Sequence, residues 1–119
     1  MVFNVMSRNQ DDHVKNIAFL MNQDGQWSLS PAYDMTYSYN PDGAWTSNHQ
    51  MTINAKRSGI GLADLKAVAV IAQLPRGKWG EIYEQVRDAI AGWQRFTETA
   101  RLPQNLRDEI QSNLFFELV

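Results

Sequence analysis

The residues best suited to chemistry lie in Asn9-Gln10-Asp11-Asp12-His13-Val14-Lys15-Asn16, with an answering acid at Asp34 in Ser30-Pro31-Ala32-Tyr33-Asp34. The first stretch gathers acids, an imidazole, an amine and carboxamides between two apolar runs, Val2–Met6 and Ile17–Met21. Carboxylate and carboxamide oxygens are hard donors. Magnesium takes one or two carboxylates and completes its shell with phosphates and water. Phosphoryl transfer asks for little more: a carboxylate near the attacking hydroxyl, and oxygen ligands for the metal on the phosphates. Asp11 is read as the base, and Asn16 and Asp34 as the metal ligands, of a magnesium–nucleotide site. Asp12 reads as a cap or loop-stabilising charge.

These residues are far apart in the chain, so intervening elements must bring them together. Val2, Phe3 and Met6 share a helical face, which predicts the last turns of a helix ending near Asn9. After the polar loop, Ile17-Ala18-Phe19-Leu20-Met21 and Gln26-Trp27-Ser28-Leu29-Ser30 flank Asn22-Gln23-Asp24-Gly25. Asp-Gly between two such runs is a hairpin signal. The pattern Asn22-x-Asp24-Gly25 lacks the later glutamate of a calcium loop, so the turn reading stands. Folding this hairpin sets Asn16 roughly opposite Pro31. Asp34 then lies three residues on, roughly 10 Å away even if fully extended.

The remainder reads as support. Tyr37–Gln50 is polar and turn-rich and predicts a loop anchored by Trp45 alone. His49 has one other histidine and no cysteine for company, a poor basis for zinc. Met51-Thr52-Ile53 predicts a short strand, and Lys56–Gly61 a turn. A helix over Leu62–Leu74 should stop at Pro75. Lys78–Leu102 carries Trp79, Ile82, Tyr83, Val86, Ile90, Trp93 and Phe96 at helical spacing, with Gly92 as its weak point. Pro103 is placed to start a last helix. Its stripe runs Leu106, Ile110, Leu114, Leu118.

At 119 residues the chain is one domain, 1–119. Residues 1–36 hold the candidate site, and 62–119 give helical support. A hydrophobic content of 44% can build a core. The net charge of −2 leaves no electrostatic footprint for direct nucleic-acid binding. No apolar run reaches the roughly 20 residues of a membrane span. The absence of cysteine excludes thiolate catalysis and disulfides, and fits a cytoplasmic location. The chain opens almost directly in an apolar patch with no capping residue ahead of it, which predicts a natural polypeptide that continues upstream.

Asp11 and Asn16 stand at the Asp-x-x-x-x-Asn spacing of the protein-kinase catalytic loop, where the acid accepts a hydroxyl proton and the amide holds a metal. Asp34, beyond a hairpin, takes the place of the second metal-binding acid. The ensemble Asn9–Leu20 followed by Trp27–Thr36 closely resembles the C-terminal domain of HipA-like serine/threonine kinases, the toxins of bacterial HipBA-type toxin–antitoxin modules. The likeness is specific over residues 3–36 and looser to the end.

That resemblance implies a mainly α fold with a small β-hairpin, a protein-kinase-like C-terminal lobe whose helical bundle supports the catalytic loop. It implies Asp11 as catalytic base, Asn16 and Asp34 as metal ligands, and Mg2+ and ATP as cofactor and substrate. It sets His13 and Lys15 near the nucleotide phosphates, although a structural histidine and a surface lysine fit those positions equally. The implied partners are a protein substrate bearing Ser or Thr and a HipB-like DNA-binding antitoxin. Met35-Thr36 follows Asp34 where kinases carry Phe-Gly, so the usual activation switch is not implied. Nothing resembles a nucleotide-binding N-terminal lobe, so this stretch alone should bind ATP weakly and turn over nothing. The alternative is a non-catalytic module that engages an antitoxin or other protein.

Overall fold

The computed structural model describes residues 1–119. Its elements are α1 (Val2–Met6), a 3-10 turn (Val14–Asn16), β1 (Phe19–Met21), β2 (Trp27–Leu29), α2 (Leu62–Ile71), α3 (Lys78–Ala91), α4 (Trp93–Thr99) and α5 (Gln104–Asn113). The fold is thus mainly helical with one small antiparallel hairpin.

α3 is the hub. It packs on α1, α2 and α4, and α4 packs on α5. Its apolar residues recur every three or four positions, so Tyr83 and Ile90 fall on one buried stripe. The core they join includes Val5 and Met6 from α1, Leu65 from α2, and Leu114 and Leu118 from the C-terminal segment. Met6 is wholly buried. Burying such a side chain stabilises the fold by roughly 1.5–3 kcal/mol. The chain end is tied down by hydrogen bonds. Phe115 N–H donates to the Met6 carbonyl (2.9 Å), Leu118 N–H to the Tyr83 hydroxyl (3.1 Å), and Leu62 N–H to the Val119 carbonyl (3.2 Å).

The hairpin follows its turn chemistry. Phe19 pairs with Leu29, Leu20 with Ser28 and Met21 with Trp27. Gly25 sits at φ +76°, the left-handed region that suits glycine. The Asn22 side chain accepts from Asp24 N–H (3.0 Å) and Gln26 N–H (2.9 Å), closing the loop. Ser30 N–H donates to the Ala18 carbonyl (2.9 Å), carrying the pairing toward the polar loop. Extended further, this register sets Asn16 across from Ala32, next to the expected Pro31. Both faces of the strands are exposed. The radius of gyration is 15.7 Å, above the ~13.5 Å of a close-packed chain this long.

Several boundaries differ from the sequence reading. α1 ends at Met6 rather than near Asn9, because Arg8 turns the chain with φ +57°. α2 ends at Ile71, not Leu74: Gln73 adopts φ +53° and Leu74 N–H returns to the Ala69 carbonyl. The long helix breaks into α3 and α4 at Gly92, where Gly92 N–H bonds back only three residues to Ala89. Its Cα lies so close to Phe96 that an added Cβ would meet the ring at 2.9 Å. Phe96 is correspondingly exposed rather than core. Met51–Ile53 forms no strand; a single bridge joins Ile53 to Lys56. Pro103 caps α5 rather than opening it, and the helix ends at Asn113, so Leu118 packs from an extended tail. Trp45 is exposed, and His49, 2% exposed, anchors the 37–50 loop instead.

Candidate functional site

The polar loop is shaped from both sides. Arg8 turns the chain, and its guanidinium stacks over the rings of Tyr39 (3.7 Å) and Phe115 (4.7 Å). Residues 8–10 then run beside Ser38: Ser38 N–H donates to the Arg8 carbonyl and Gln10 N–H to the Ser38 carbonyl, each at 3.1 Å. This pairing lays the segment after the hairpin along the loop. Asn9, 2% exposed, donates through Nδ2 to the Asp34 carbonyl (3.0 Å). Asp34 itself adopts φ +55°, in the left-handed region that Asp enters more readily than most residues. Asn9 therefore holds the backbone of Asp34 in place.

Asn16 and Asp34 meet. The Asn16 carboxamide donates to Asp34 Oδ2 at 2.8 Å and to the Asp11 backbone carbonyl at 3.3 Å. Tyr33 hydroxyl donates to the Lys15 carbonyl (2.7 Å), a second tie between the loop and the post-hairpin segment. Asp11 joins the group through its backbone. Its carboxylate makes no hydrogen bond or ion pair and lies outside the lining of the adjacent cavity. That cavity, about 330 Å³, is bordered by Asn9, His13, Asn16, Asp34, Leu29 and Met51 among others. It falls in the size range of small-molecule sites. His13 lines it with a buried Nδ1 that has no hydrogen-bond partner. Lys15 is exposed, is the middle residue of the 3-10 turn, and does not line the cavity.

Asp12 faces inward, 5% exposed. One oxygen, Oδ2, lies 2.9 Å from His49 Nδ1. The other accepts from Gln50 N–H (2.8 Å) and Met51 N–H (3.3 Å). Burial pushes its carboxyl up, but the His49 bond, the imidazole's charge and the two amides outweigh it and hold the carboxyl below the ordinary range. Asp64 does the same work at the N-terminus of α2. It accepts from Gly61 N–H (2.9 Å), Asn54 Nδ2 (2.8 Å) and Lys56 Nζ (2.9 Å), which hold its carboxyl at about 2.

Sequence reasoning missed Asn9 and His49. Asn9 looked like one more loop amide, and nothing local marks it as the residue that reaches Asp34. His49 was visible only as a lone imidazole, because its partner is 37 residues away.

The oxygen atoms of Asn16 and Asp34 are the ones that would face a magnesium ion. Asn16 and Asp34 set one carboxamide and one carboxylate side by side. The present contact runs through Asn16 Nδ2, so the amide would have to turn its oxygen to the ion. No group of three or more His, Cys, Asp or Glu side chains is gathered there. Such a sparse oxygen set fits an ion whose remaining ligands are phosphates and water. No helix is long and apolar enough to cross a membrane. Residues 1–93 match the family model described as the HipA-like C-terminal domain. No curated protein and no solved structure matches the chain. The matched span takes in the loop, the hairpin, the 49–57 segment and α1 to α3. The chain belongs to the family of HipA-like C-terminal domains.

Proposed function

We propose that this domain is the kinase-like C-terminal lobe of a HipA-like serine/threonine protein kinase, which transfers the ATP γ-phosphoryl group to a protein hydroxyl. The observation that carries the reading is the 2.8 Å contact between Asn16 and Asp34, beside the Asp11 backbone and a cavity of small-molecule size. Asp11 accepts the proton of the Ser or Thr hydroxyl as its oxygen bonds to the γ-phosphorus and the bond to ADP breaks. Its carboxylate makes no hydrogen bond and does not line the cavity, so it must turn inward to reach that hydroxyl. Asn16 and Asp34 hold Mg2+, which when bound offsets the phosphate charge. His13, with its unpartnered buried nitrogen, orients a phosphate or ribose group, and Lys15, exposed on the adjoining 3-10 turn, adds positive charge. ATP is the phosphoryl donor, and turnover requires a second, nucleotide-covering lobe on the same polypeptide. The cellular role we propose is that of a cytoplasmic toxin held in check by a HipB-like antitoxin.

A second reading, a binding module that docks an antitoxin or other protein, draws on the hairpin. Phe19, Met21, Trp27 and Leu29 share one exposed apolar face, the kind of surface a protein partner covers.

The test is phosphotransfer by the natural polypeptide carrying this domain, with Asp11→Asn beside the unaltered protein. A base in this position predicts a fall of about 10²–10⁴-fold with magnesium–ATP binding retained. Undiminished transfer removes Asp11 as the base, whereas no transfer by the unaltered protein overturns the kinase reading and favours the binding module.

A further inference from the structure

A second structural unit closes on the same cavity. Residues 49–57 fold back on themselves: His49 N–H donates to the Arg57 carbonyl (3.0 Å), Arg57 Nε donates to the His49 carbonyl, and Ile53 and Lys56 exchange both backbone bonds. Met51, Thr52 and Ile53 from this strap border the cavity that holds Asn16 and Asp34. One buried aspartate pins each end. Asp64 takes Asn54 and Lys56 at the far end. Asp12 takes His49 and the two amides of Gln50 and Met51 at the near end.

Asp12 is the immediate neighbour of both Asp11 and His13. Fixing its side chain from the opposite wall fixes the path of the loop on either side of it. The 3-10 turn that follows delivers Asn16, through Asn16 N–H to the His13 carbonyl (3.0 Å), to Asp34. A buried carboxylate with three partners does not drift. Leaving one of its oxygens unpaired in this setting is costly, so the loop would move to find water.

We propose that Asp12 and His49 are positioning residues for the phosphoryl-transfer site: their buried contact locks the strap onto the loop and thereby sets Asn16 against Asp34. The proposal rests on the kinase reading for its purpose. Its geometry can be tested without metal or nucleotide.

The experiment uses the 119-residue chain with His49→Ala and His49→Asn, at a temperature where circular dichroism shows all three proteins folded. Asparagine can present an N–H where the imidazole Nδ1 stands. The readouts are the NMR shifts of the Asn16 carboxamide and hydrogen exchange at Asn16, Gln50 and Met51 N–H. We expect His49→Ala to move the Asn16 carboxamide toward free-asparagine values and to speed exchange about tenfold or more. His49→Asn should restore both. A His49→Ala protein that melts earlier but keeps the native Asn16 signals would show mere structural support and overturn the proposal. Should His49→Ala not fold, the unaltered chain still decides. Imidazole nitrogen shifts must show Nδ1 carrying the hydrogen toward Asp12, and an unprotonated Nδ1 in the neutral ring overturns the pairing. Failure here leaves Asn16 unmoved in His49→Ala, whereas failure of the kinase reading shows as no phosphotransfer by the unaltered natural polypeptide.

Discussion

Replacing Ala55 by glycine should stabilise this protein, against the usual direction of such a change. Asn54 and Ala55 form the two-residue turn of the strap, with φ of +51° and +62°. Ile53 N–H and Lys56 carbonyl bond at 2.8 Å, and Lys56 N–H and Ile53 carbonyl at 3.0 Å. Turns of this hand need positive φ at both central positions and favour Asn-Gly. Asn54 suits its place. The Ala55 Cβ costs roughly 1–2 kcal/mol in the left-handed region. Glycine removes that term and returns about 0.4–1 kcal/mol through the freer unfolded chain. Ala55 is exposed, so its methyl loses no packing. The net expectation is about 0.5–1 kcal/mol of added stability, a rise of roughly 2–5 °C in Tm for a domain this size. Thermal melting followed at 222 nm measures it. Ala89→Gly in the right-handed α3 is the control and should lower stability by roughly 0.5–1 kcal/mol. If both glycines destabilise alike, Ala55 is not left-handed in solution, and the strap does not turn as described.

Two further outcomes follow from the core and from the second buried acid. Met6→Ala removes a wholly buried side chain from α1 beneath the loop and should cost about 2–5 kcal/mol in urea unfolding; a change under ~1 kcal/mol would mean that α1 is not docked. Asp64 is held at about 2 against an ordinary 3.8, so its contribution is fully present above 3.8 and is lost as pH falls through 2. Tm should drop over that interval, and Asp64→Asn should start lower and flatten that part of the curve. An unchanged pH dependence in the variant would sink the role of Asp64 as the strap's far anchor.

The parts of this fold written locally were open to sequence reading. The Asp24-Gly25 turn, the apolar runs on either side and the periodicity of α3 are each contained in a short window, and the hairpin register follows from the turn. That register is what brought Asn16 and Asp34 into one neighbourhood on paper. The losses have a common cause in tertiary context. Gly92 was expected to weaken a helix and instead ends one, its N–H bonding back three residues to Ala89 before α4 begins. Trp45 looked like an anchor by hydrophobicity but is 75% exposed, while polar His49 is buried because Asp12 satisfies it. Local pattern does not reveal a partner 37 residues away. For the same reason Asn9, whose value lies in reaching the Asp34 carbonyl, was invisible.

The proposed kinase site requires that Asn16 and Asp34, distant in the chain, face one hydrated divalent ion. Manganese can stand in for magnesium at oxygen ligands, and its paramagnetism reports even weak, fast-exchanging occupancy. The most direct measurement is a titration of the isotope-labelled chain with Mn2+ and ATP, reading which resonances broaden first. At the proposed site, Asp34 and the Asn16 carboxamide should broaden ahead of every other carboxylate region, and Asp34→Asn should abolish this. Broadening that begins elsewhere, at Asp24, Asp42 or the acids of α3, with residues 16 and 34 left sharp, would contradict it.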